Sequence, residues 1–325
     1  MTESSAQEIF LKALAALRPG IPATHGSLGV LPLTSTLPET ADGPVPVAES
    51  LARGMVTIKE QTSPSVQSLR LTNRDEREVI VDVGDEMVGG KQNRAAARMM
   101  IVPPGEEVSL PVCCVEQMRW SDGFHDFVAG DLALLSVREV ILASLAAGAA
   151  RDGDPQGTVW AAVAAAQERA QVTAPTNAMS AQFKARATWL LDVERAIPYP
   201  EDGTVGAMAV IAGEARCAGL FTRNAAPPHW RRFVRSCAMA AGPRAESTAV
   251  REPARRFLAS AERARCRVVR GPADSEQILL DSRTVIGTAL VRDGGVLLAT
   301  IISCANRRAG VSDTPTRGDR VRSWR

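Results

Sequence analysis

The chain has 325 residues, 45% of them hydrophobic, which is enough for one large domain or two ordinary ones with a sizeable core. Its 38 basic and 36 acidic residues give a formal net charge of +2, and only 4% of the residues are aromatic. This composition gives no electrostatic argument for nucleic acid or an anionic membrane, and few platforms for stacking single strands, so we expect neither partner.

Short apolar runs separated by turn residues predict a first half made mostly of β-strands. Helical spacing of apolar residues predicts a helix over residues 3–17, ended by Pro19-Gly20, and a helical turn over residues 48–53. Strands are predicted at residues 29–33, 55–60, 66–72, 78–83, 99–102 and 108–115. Turn residues at 73–76 and at Pro103-Pro104-Gly105 predict that the last four strands pair as two successive hairpins.

From residue 131 the apolar spacing becomes helical, and the last third is mixed. Helices are predicted at residues 132–145, 156–171, 180–196, 229–241 and 251–263. Asp131 is a candidate cap for the first of these, Asp152-Gly153-Asp154-Pro155 ends it, and Pro227-Pro228 suits the start of the fourth. Strands are predicted at 205–212, 216–221, 277–280, 285–292 and 296–303, with Asp293-Gly294 as a strong hairpin turn.

These elements predict an α+β protein with a β-rich N-terminal half, a helical middle and a mixed αβ closing segment that completes the sheet. Residues 1–27 are predicted to form an N-terminal helix and linker, and residues 28–305 a single α+β domain. Residues 306–325 are polar and rich in arginine, and are predicted to be a disordered basic tail.

The cysteines and the N-terminus bear on the compartment. The six cysteines are spread along the chain without a C-x-x-C pair, which indicates buried, reduced thiols rather than disulfides or a metal site. The N-terminus lacks the charged and apolar segments of a signal peptide. The most apolar stretch, residues 132–150, carries Arg138 and Glu139 and predicts a buried helix. We therefore expect a cytoplasmic protein without a bound metal.

Two dense polar clusters flank the second predicted hairpin. The first cluster is Gly89-Gly90-Lys91-Gln92-Asn93-Arg94, and the second cluster is Cys114-Val115-Glu116-Gln117-Met118-Arg119-Trp120. Because a hairpin brings its outer ends together, both clusters are expected to meet at one end of a sheet. Small-ligand sites are often built in this way.

The cations, glycines and aromatic ring of the clusters suit an anionic, nucleotide-like ligand. Gly89-Gly90 permits positive φ and close backbone approach, and exposed N–H groups in such a turn favour anions. Lys91, Arg94 and Arg119 would hold phosphate. Trp120 would stack on a planar base.

The remaining polar residues suggest acid–base chemistry and sugar recognition. Glu116 is the candidate acid/base, and Glu86 would share the work if both carboxyl groups reach one bound water. Gln92 and Asn93 would orient sugar or amide groups. The predicted ligand-binding set is Gly89, Gly90, Lys91, Gln92, Asn93, Arg94, Cys114, Gln117, Arg119 and Trp120.

A structural interpretation of the same residues stays open. Glu116, Arg119, Lys91 and Arg94 would then form a salt-bridge network at a solvated hairpin end. Cys114 is interpreted as a pocket wall rather than a nucleophile, because no histidine is identifiable as its partner. His125, beside Asp126, is either a base or a surface histidine, and His229 is expected to be a packing residue. The chain contains no P-loop, dinucleotide fingerprint, zincin or nucleophile-elbow motif.

The first cluster, followed by the motif PVCCVEQMRW at residues 111–120, resembles the signature of an uncharacterised bacterial domain family. The family is named for its association with ADP-ribosylglycohydrolase (ARG) and with rhodanese-phosphatase superfamily proteins. The resemblance extends from about residue 28 to residue 303. Met118 stands where the family usually has glycine, and Cys113 where serine is common.

The resemblance implies a link to NAD or ADP-ribose metabolism and specifies neither a reaction nor a cofactor. One hypothesis is a protein that binds or processes a phosphorylated, nucleotide-like small molecule. The alternative is a non-catalytic binding or scaffold module that partners an ADP-ribose-processing enzyme.

Overall fold

A computed structural model describes residues 3–37, 43–65, 67–120, 126–148, 155–200, 203–243, 251–271 and 273–304. The predictions for His125, for the break at residues 152–154 and for the tail at 306–325 lie outside the described residues. Within them the protein is α+β with a strand-rich N-terminal half, which confirms the predicted fold class. None of the described helices has the length and apolar character needed to cross a membrane.

The described helices are α1 (Glu3–Ala16), α2 (Val47–Ala52), α3 (Leu135–Ala147), α4 (Gln156–Ala170), α5 (Ser180–Ala185), α6 (Ala187–Ala196), α7 (Ala226–Ala241) and α8 (Arg251–Glu262), with a short 3-10 helix at Arg223–Ala225. The first nine strands are β1 (Leu17–Pro19), β2 (Ala23–His25), β3 (Leu28–Ser35), β4 (Val45–Pro46), β5 (Val56–Ser65), β6 (Ser68–Asn73), β7 (Val79–Val81), β8 (Asp85–Val88) and β9 (Arg94–Ala96). The rest are β10 (Met100–Val102), β11 (Glu107–Cys114), β12 (Val128–Leu132), β13 (Thr204–Ile211), β14 (Glu214–Phe221), β15 (Arg265–Arg270), β16 (Glu276–Asp281), β17 (Val285–Arg292) and β18 (Gly295–Ser303).

The described strands form three sheets. A nine-stranded antiparallel sheet has the order β1-β3-β13-β14-β18-β17-β16-β15, with β2 beside β3. A six-stranded sheet has the order β12-β8-β9-β11-β6-β5, and a three-stranded sheet the order β10-β7-β4. The closing strands β15–β18 join β13, β14 and β3, so the C-terminal segment completes the large sheet as predicted.

Among the described residues, three hydrophobic cores hold these layers together. Helices α1 and α8 cover one face of the large sheet with Phe10, Leu14 and Phe257, and α3, α4 and α7 contribute to the core on its other face. The third core lies within the strand-rich half and includes Leu69, Met87 and other apolar strand residues. The division into residues 1–27 and 28–305 stays a prediction. Helix α1 buries its apolar side chains in the same core as strands of the large sheet.

Local signals predicted several elements well. Hairpins β13–β14 and β17–β18 pair as expected, and Asp293 and Gly294 both have positive φ, at 51° and 79°, as a two-residue hairpin turn requires. Pro227 and Pro228 stand in the first turn of α7. All six cysteines are free, and all but Cys266 are buried, as predicted.

Other predictions were wrong, mainly where pairing is non-local. Strands β6 and β7 do not form a hairpin, because β6 pairs with β5 and β11 while β7 pairs with β4 and β10. Strands β10 and β11 likewise belong to different sheets. Helix α3 begins at Leu135 without a side-chain cap, so Asp131 does not cap it. The helix predicted at 180–196 is broken at Arg186, where φ is −112° and ψ is 17°.

Candidate functional site

The two polar clusters do converge, through a strand pair that the sequence did not predict. Strand β9 pairs antiparallel with β11, and Arg94 lies opposite Cys114. Because β9 ends the first cluster and Cys114 begins the second, both clusters lie at the same end of the six-stranded sheet. The predicted hairpin was wrong, but the juxtaposition it was meant to explain is present.

Glu116 is held by three hydrogen bonds. Its carboxylate accepts from Arg119 Nη2 at 2.7 Å, from the Thr176 hydroxyl at 2.6 Å and from the backbone N–H of Asn93 at 3.0 Å. Burial acts to raise the pKa of Glu116, but these donors outweigh it and lower the pKa below its ordinary value. Glu116 is therefore an ionised, well-satisfied carboxylate at neutral pH.

Arg119 donates to the protein itself. Nη1 donates to the carbonyl of Gly90 at 2.7 Å, and Nη2 to the carbonyl of Gly89 at 3.2 Å and to Asn93 Oδ1 at 3.1 Å. Together with the bond to Glu116, these contacts fasten the diglycine loop to the second cluster. The Arg119 guanidinium, which was predicted to hold phosphate, thus donates to backbone and side-chain acceptors of the protein.

The diglycine is required by close packing against the start of β12. Gly89 has φ of 137° and Gly90 has φ of 51°, a region that favours glycine. A Cβ on Gly89 would lie 2.6 Å from the Asp126 carbonyl oxygen, and one on Gly90 would lie 2.3 Å from the ring of Phe127. The group that packs closely against these glycines is therefore another segment of the chain.

Arg94 is completely buried, and most of its donors have no acceptor among the described residues. Nη1 donates to Gln92 Oε1 at 3.2 Å, but Nε and Nη2 have no hydrogen-bond partner among the described residues. The Cys114 thiol lies 3.1 Å from the same Gln92 oxygen and 3.0 Å from the carbonyl of Glu116. Burial raises the pKa of the Cys114 thiol, so it is protonated at neutral pH and acts as a wall of the site.

Trp120 lies over Arg94 with about half of its surface exposed. Arg94 Cζ is 5.9 Å and Lys91 Nζ is 5.1 Å from the ring centroid, both within cation–π range. The backbone N–H of Lys91 donates to Glu60 at 3.0 Å. Gln117 is exposed, and its backbone carbonyl accepts a long bond from Gln92 at 3.4 Å.

Glu86 has a different environment from Glu116. Its side chain is 2% exposed, and neither carboxyl oxygen has a hydrogen-bond partner among the described residues. Burial raises the pKa of Glu86 to about 8; the charges of Asp131 and Glu116 add to the increase, and Arg232 and Lys184 oppose it. A Cβ on Gly130 would lie 2.9 Å from Oε2, so the carboxyl group packs against the backbone of β12. Glu86 is a neutral acid at pH 7.

Helix α7 supplies two paired arginines near Glu86 that sequence reasoning missed. Arg232 forms an ion pair with Asp85, and Arg235 pairs with Asp131 at 3.1 Å and with Glu194 at 2.7 Å. Positions 232 and 235 are three residues apart and therefore lie on one face of the helix. This spacing is the sequence signal by which the two arginines could have been found. Asn93 Nδ2 also donates to Ser180 of α5 at 3.1 Å, a contact without a sequence signal.

The strand register separates Glu86 from Arg94. Glu86 lies opposite Ala95, and Arg94 lies opposite Cys114. Directly paired residues share a face of a sheet and successive residues alternate, so Glu86 and Arg94 project to opposite faces. The Arg94 side chain lies beside Gln92 and Trp120. Asp131, Arg232, Glu116 and Lys184 act electrostatically on Glu86.

His229 is a packing residue. It is buried on α7, and its ring is stacked on Phe221 with centroids 6.0 Å apart. Burial lowers the pKa of His229 to about 4, so the ring is neutral at pH 7.

Comparison with known proteins identifies the family. The sequence profile described as the ARG and Rhodanese-Phosphatase-superfamily-associated Protein domain matches residues 16–302. The match spans most of the chain, so the chain belongs to this family, as the two motifs indicated. No curated protein and no solved structure matched the chain.

Proposed function

We propose that the protein binds a phosphorylated, nucleotide-like small molecule of the ADP-ribose class at Arg94, Lys91 and Trp120. The buried Arg94 guanidinium carries this proposal, because Nε and Nη2 have no described acceptor. A buried cation without a compensating anion is costly, and a phosphate oxygen accepts from a guanidinium with favourable geometry. The family name, which pairs this domain with ARG, supports the ADP-ribose class.

Trp120 gives the proposed site a surface for the base. Its ring is 51% exposed and lies over the fully buried Arg94, so in this proposal the ring moves towards solvent to admit a phosphate. The displaced ring would then stack on the base, a contact of roughly 1–3 kcal/mol per base in stacking proteins. Lys91, whose ammonium lies beside the ring, would add charge near the phosphate.

Glu116 and Arg119 take a positioning role in this proposal. Their mutual bond of 2.7 Å, and the Arg119 bonds to the Gly89 and Gly90 carbonyls, fix the loop that carries Lys91. A carboxylate whose pKa is lowered by its donors is a weak proton donor at pH 7. The geometry therefore favours binding over the acid–base role expected for Glu116.

Calorimetric titration with ADP-ribose and with ribose 5-phosphate tests the proposal. Arg94→Met keeps the bulk and removes the charge, and we expect it to weaken both ligands by at least about tenfold. The matched control is Arg70→Met, an arginine on β6 of the same sheet with its side chain 40% exposed, which should change neither affinity. Equal ADP-ribose affinity in the two variants would contradict the proposal.

Trp120→Leu separates base recognition from phosphate recognition. We expect it to weaken ADP-ribose while leaving ribose 5-phosphate unchanged, since only the former has a base to stack. Quenching of intrinsic fluorescence by ADP-ribose should also be smaller in this variant. Equal weakening of both ligands would show that the ring shapes the phosphate site rather than the base site.

Hydrolytic processing is a second candidate, favoured by Glu86. A neutral carboxylic acid with pKa of about 8 is suited to donating a proton at pH 7. Its projection away from Arg94 weighs against a shared pocket, so this candidate ranks below binding. Phosphorus NMR of ADP-ribose with the protein would show new signals over time, and Glu86→Gln would abolish them.

A further inference from the structure

A second group of cations lines a cavity of about 500 Å³ elsewhere in the molecule. The cavity lies among α3, α4, the break between α5 and α6, β14 and the end of α7. Arg169 comes from α4, Arg186 from the helix break and Arg216 from β14. None of these residues belongs to the two polar clusters, so the cavity is separate from the site proposed above.

Within the described part of the chain, the arginines of the cavity have little compensating negative charge. No described carboxylate forms an ion pair with Arg169 or Arg186, and Arg216 has only the distant, exposed Glu214 at 3.9 Å. Arg216 Nε is buried without a described partner. Burial lowers the pKa of Arg186, whose guanidinium also lies 5.8 Å from the Trp189 ring. Glu139 lines the same cavity, so the lining retains net positive charge.

A buried amide in the lining also lacks an acceptor. The Gln182 side chain is 1% exposed, and its Nε2 has no hydrogen-bond partner in the described part of the chain. An unsatisfied buried donor costs about 1–3 kcal/mol, and native proteins usually avoid it. Because Nε2 itself is closed to solvent, a turn of the Gln182 side chain would bring this N–H group, with the arginines, to an anion in the cavity.

The end of α7 forms another part of the lining. Met239, Ala240, Ala241 and Gly242, at the end of α7, line the cavity. The last carbonyls of a helix have no intrahelical donor, so they suit hydroxyl groups. A ligand with both an anionic group and hydroxyl groups therefore suits this lining.

We propose that this cavity binds a small phosphorylated metabolite, with Arg169, Arg186, Arg216 and Gln182 on its phosphate and the α7 carbonyls on its hydroxyl groups. Guanidinium forks match phosphate oxygens, and a volume of about 500 Å³ lies within the range of small-molecule sites. The proposal is independent of the Arg94 site.

Calorimetry of the full chain with pyrophosphate at constant ionic strength tests it. We expect wild-type protein to bind, and Arg186→Gln to weaken the affinity by at least about tenfold. Arg195→Gln is the matched control: Arg195 lies on α6 with its side chain 76% exposed, and its loss should have no effect. Failure of wild-type protein to bind pyrophosphate, or equal loss in both variants, would overturn the proposal.

Two further variants keep the test decisive. Gln182→Leu removes an amide N–H that has no described partner, so it should weaken pyrophosphate binding while the thermal midpoint is retained. If Arg186→Gln fails to fold, the pyrophosphate affinity of Gln182→Leu tests the proposal in its place. Arg94→Met should leave the cavity's affinity intact; if it abolishes pyrophosphate binding while Arg186→Gln does not, the anion occupies the motif site and the cavity proposal is wrong.

Discussion

At the scale of single residues, Glu86 and Glu116 show how partners determine the chemistry of identical side chains. Both are buried, but Glu116 receives three hydrogen bonds, whereas Glu86 has none from described residues. Their pKa values consequently shift in opposite directions. Sequence reasoning gave both an acid/base role because the donor Thr176 and the neighbour Arg232 lie far away in the chain.

Glu86→Gln should stabilise the protein increasingly as pH rises. The folded pKa of about 8 exceeds the ordinary 4.5, so the favourable protonation is fully present below about pH 4.5 and is lost as pH approaches 8. Each unit corresponds to about 1.4 kcal/mol, so the variant should gain a few kcal/mol in free energy of unfolding by about pH 8. Urea unfolding of both proteins from about pH 5 to pH 9 measures this difference.

The matched control for that experiment is Glu107→Gln, whose side chain is 54% exposed. Its stability difference from wild type should vary little across the same pH range. If Glu86→Gln shows the same flat dependence, Glu86 is ionised in the folded protein and the second candidate function loses its support.

At the scale of elements, what could be predicted depended on how local the interactions are. Helices α1 and α7 and hairpins β13–β14 and β17–β18 follow from apolar spacing, prolines and the Asp293-Gly294 turn. The pairings of β6 with β11 and of β7 with β10 join distant segments, whose register is set by burial that no short window displays. The candidate site was located because its motifs are dense, but the internal partners of Arg119 depend on those non-local pairings.

Gly90→Ala should destabilise the strand-rich half. The new methyl group would lie 2.3 Å from the Phe127 ring, on a backbone with φ of 51°. Overpacking costs about 1–3 kcal/mol and the left-handed backbone about 1–2 kcal/mol more. Chemical denaturation measures the loss.

Phe127→Leu in the Gly90→Ala background should recover part of that loss by relieving the contact. The single variant Phe127→Leu provides the reference for this comparison. Additive losses in the double variant would show that the ring is not what requires glycine at position 90.

At the scale of the whole molecule, buried and partly buried charges join the sheets. Arg138 of α3 donates to Thr300 of β18 at 2.7 Å and to the Val83 carbonyl at 3.2 Å, and it pairs with Asp82 at 3.5 Å. Thr300 also donates to Asp82 at 3.3 Å. Arg292, at the end of β17, pairs with Glu78 at 2.8 Å, just before β7. The large sheet and the strand-rich half are therefore joined by hydrogen bonds and ion pairs as well as by apolar packing.

Arg138→Met tests this connection. Arg138 is 1% exposed, and its loss would leave the Asp82 carboxylate buried without its cation, which typically costs about 3–5 kcal/mol. Burial already raises the pKa of Asp82 to about 6 against the opposing charge of Arg138, so the variant should raise it further. Because protonation of Asp82 favours the folded state, the loss of stability in Arg138→Met should be smaller near pH 5 than near pH 8.

The double variant Arg138→Met/Asp82→Asn distinguishes an unpaired charge from a simple packing defect. If the cost of Arg138→Met comes from the stranded carboxylate, Asp82→Asn should restore much of the free energy of unfolding and remove the added pH dependence. If the methionine merely packs poorly, the effects of the two single variants should add at each pH, without a coupling term that changes with pH. Urea unfolding of the wild type, both single variants and the double variant at two pH values separates these outcomes. The result shows whether electrostatic pairing or side-chain packing joins the large sheet to the strand-rich half.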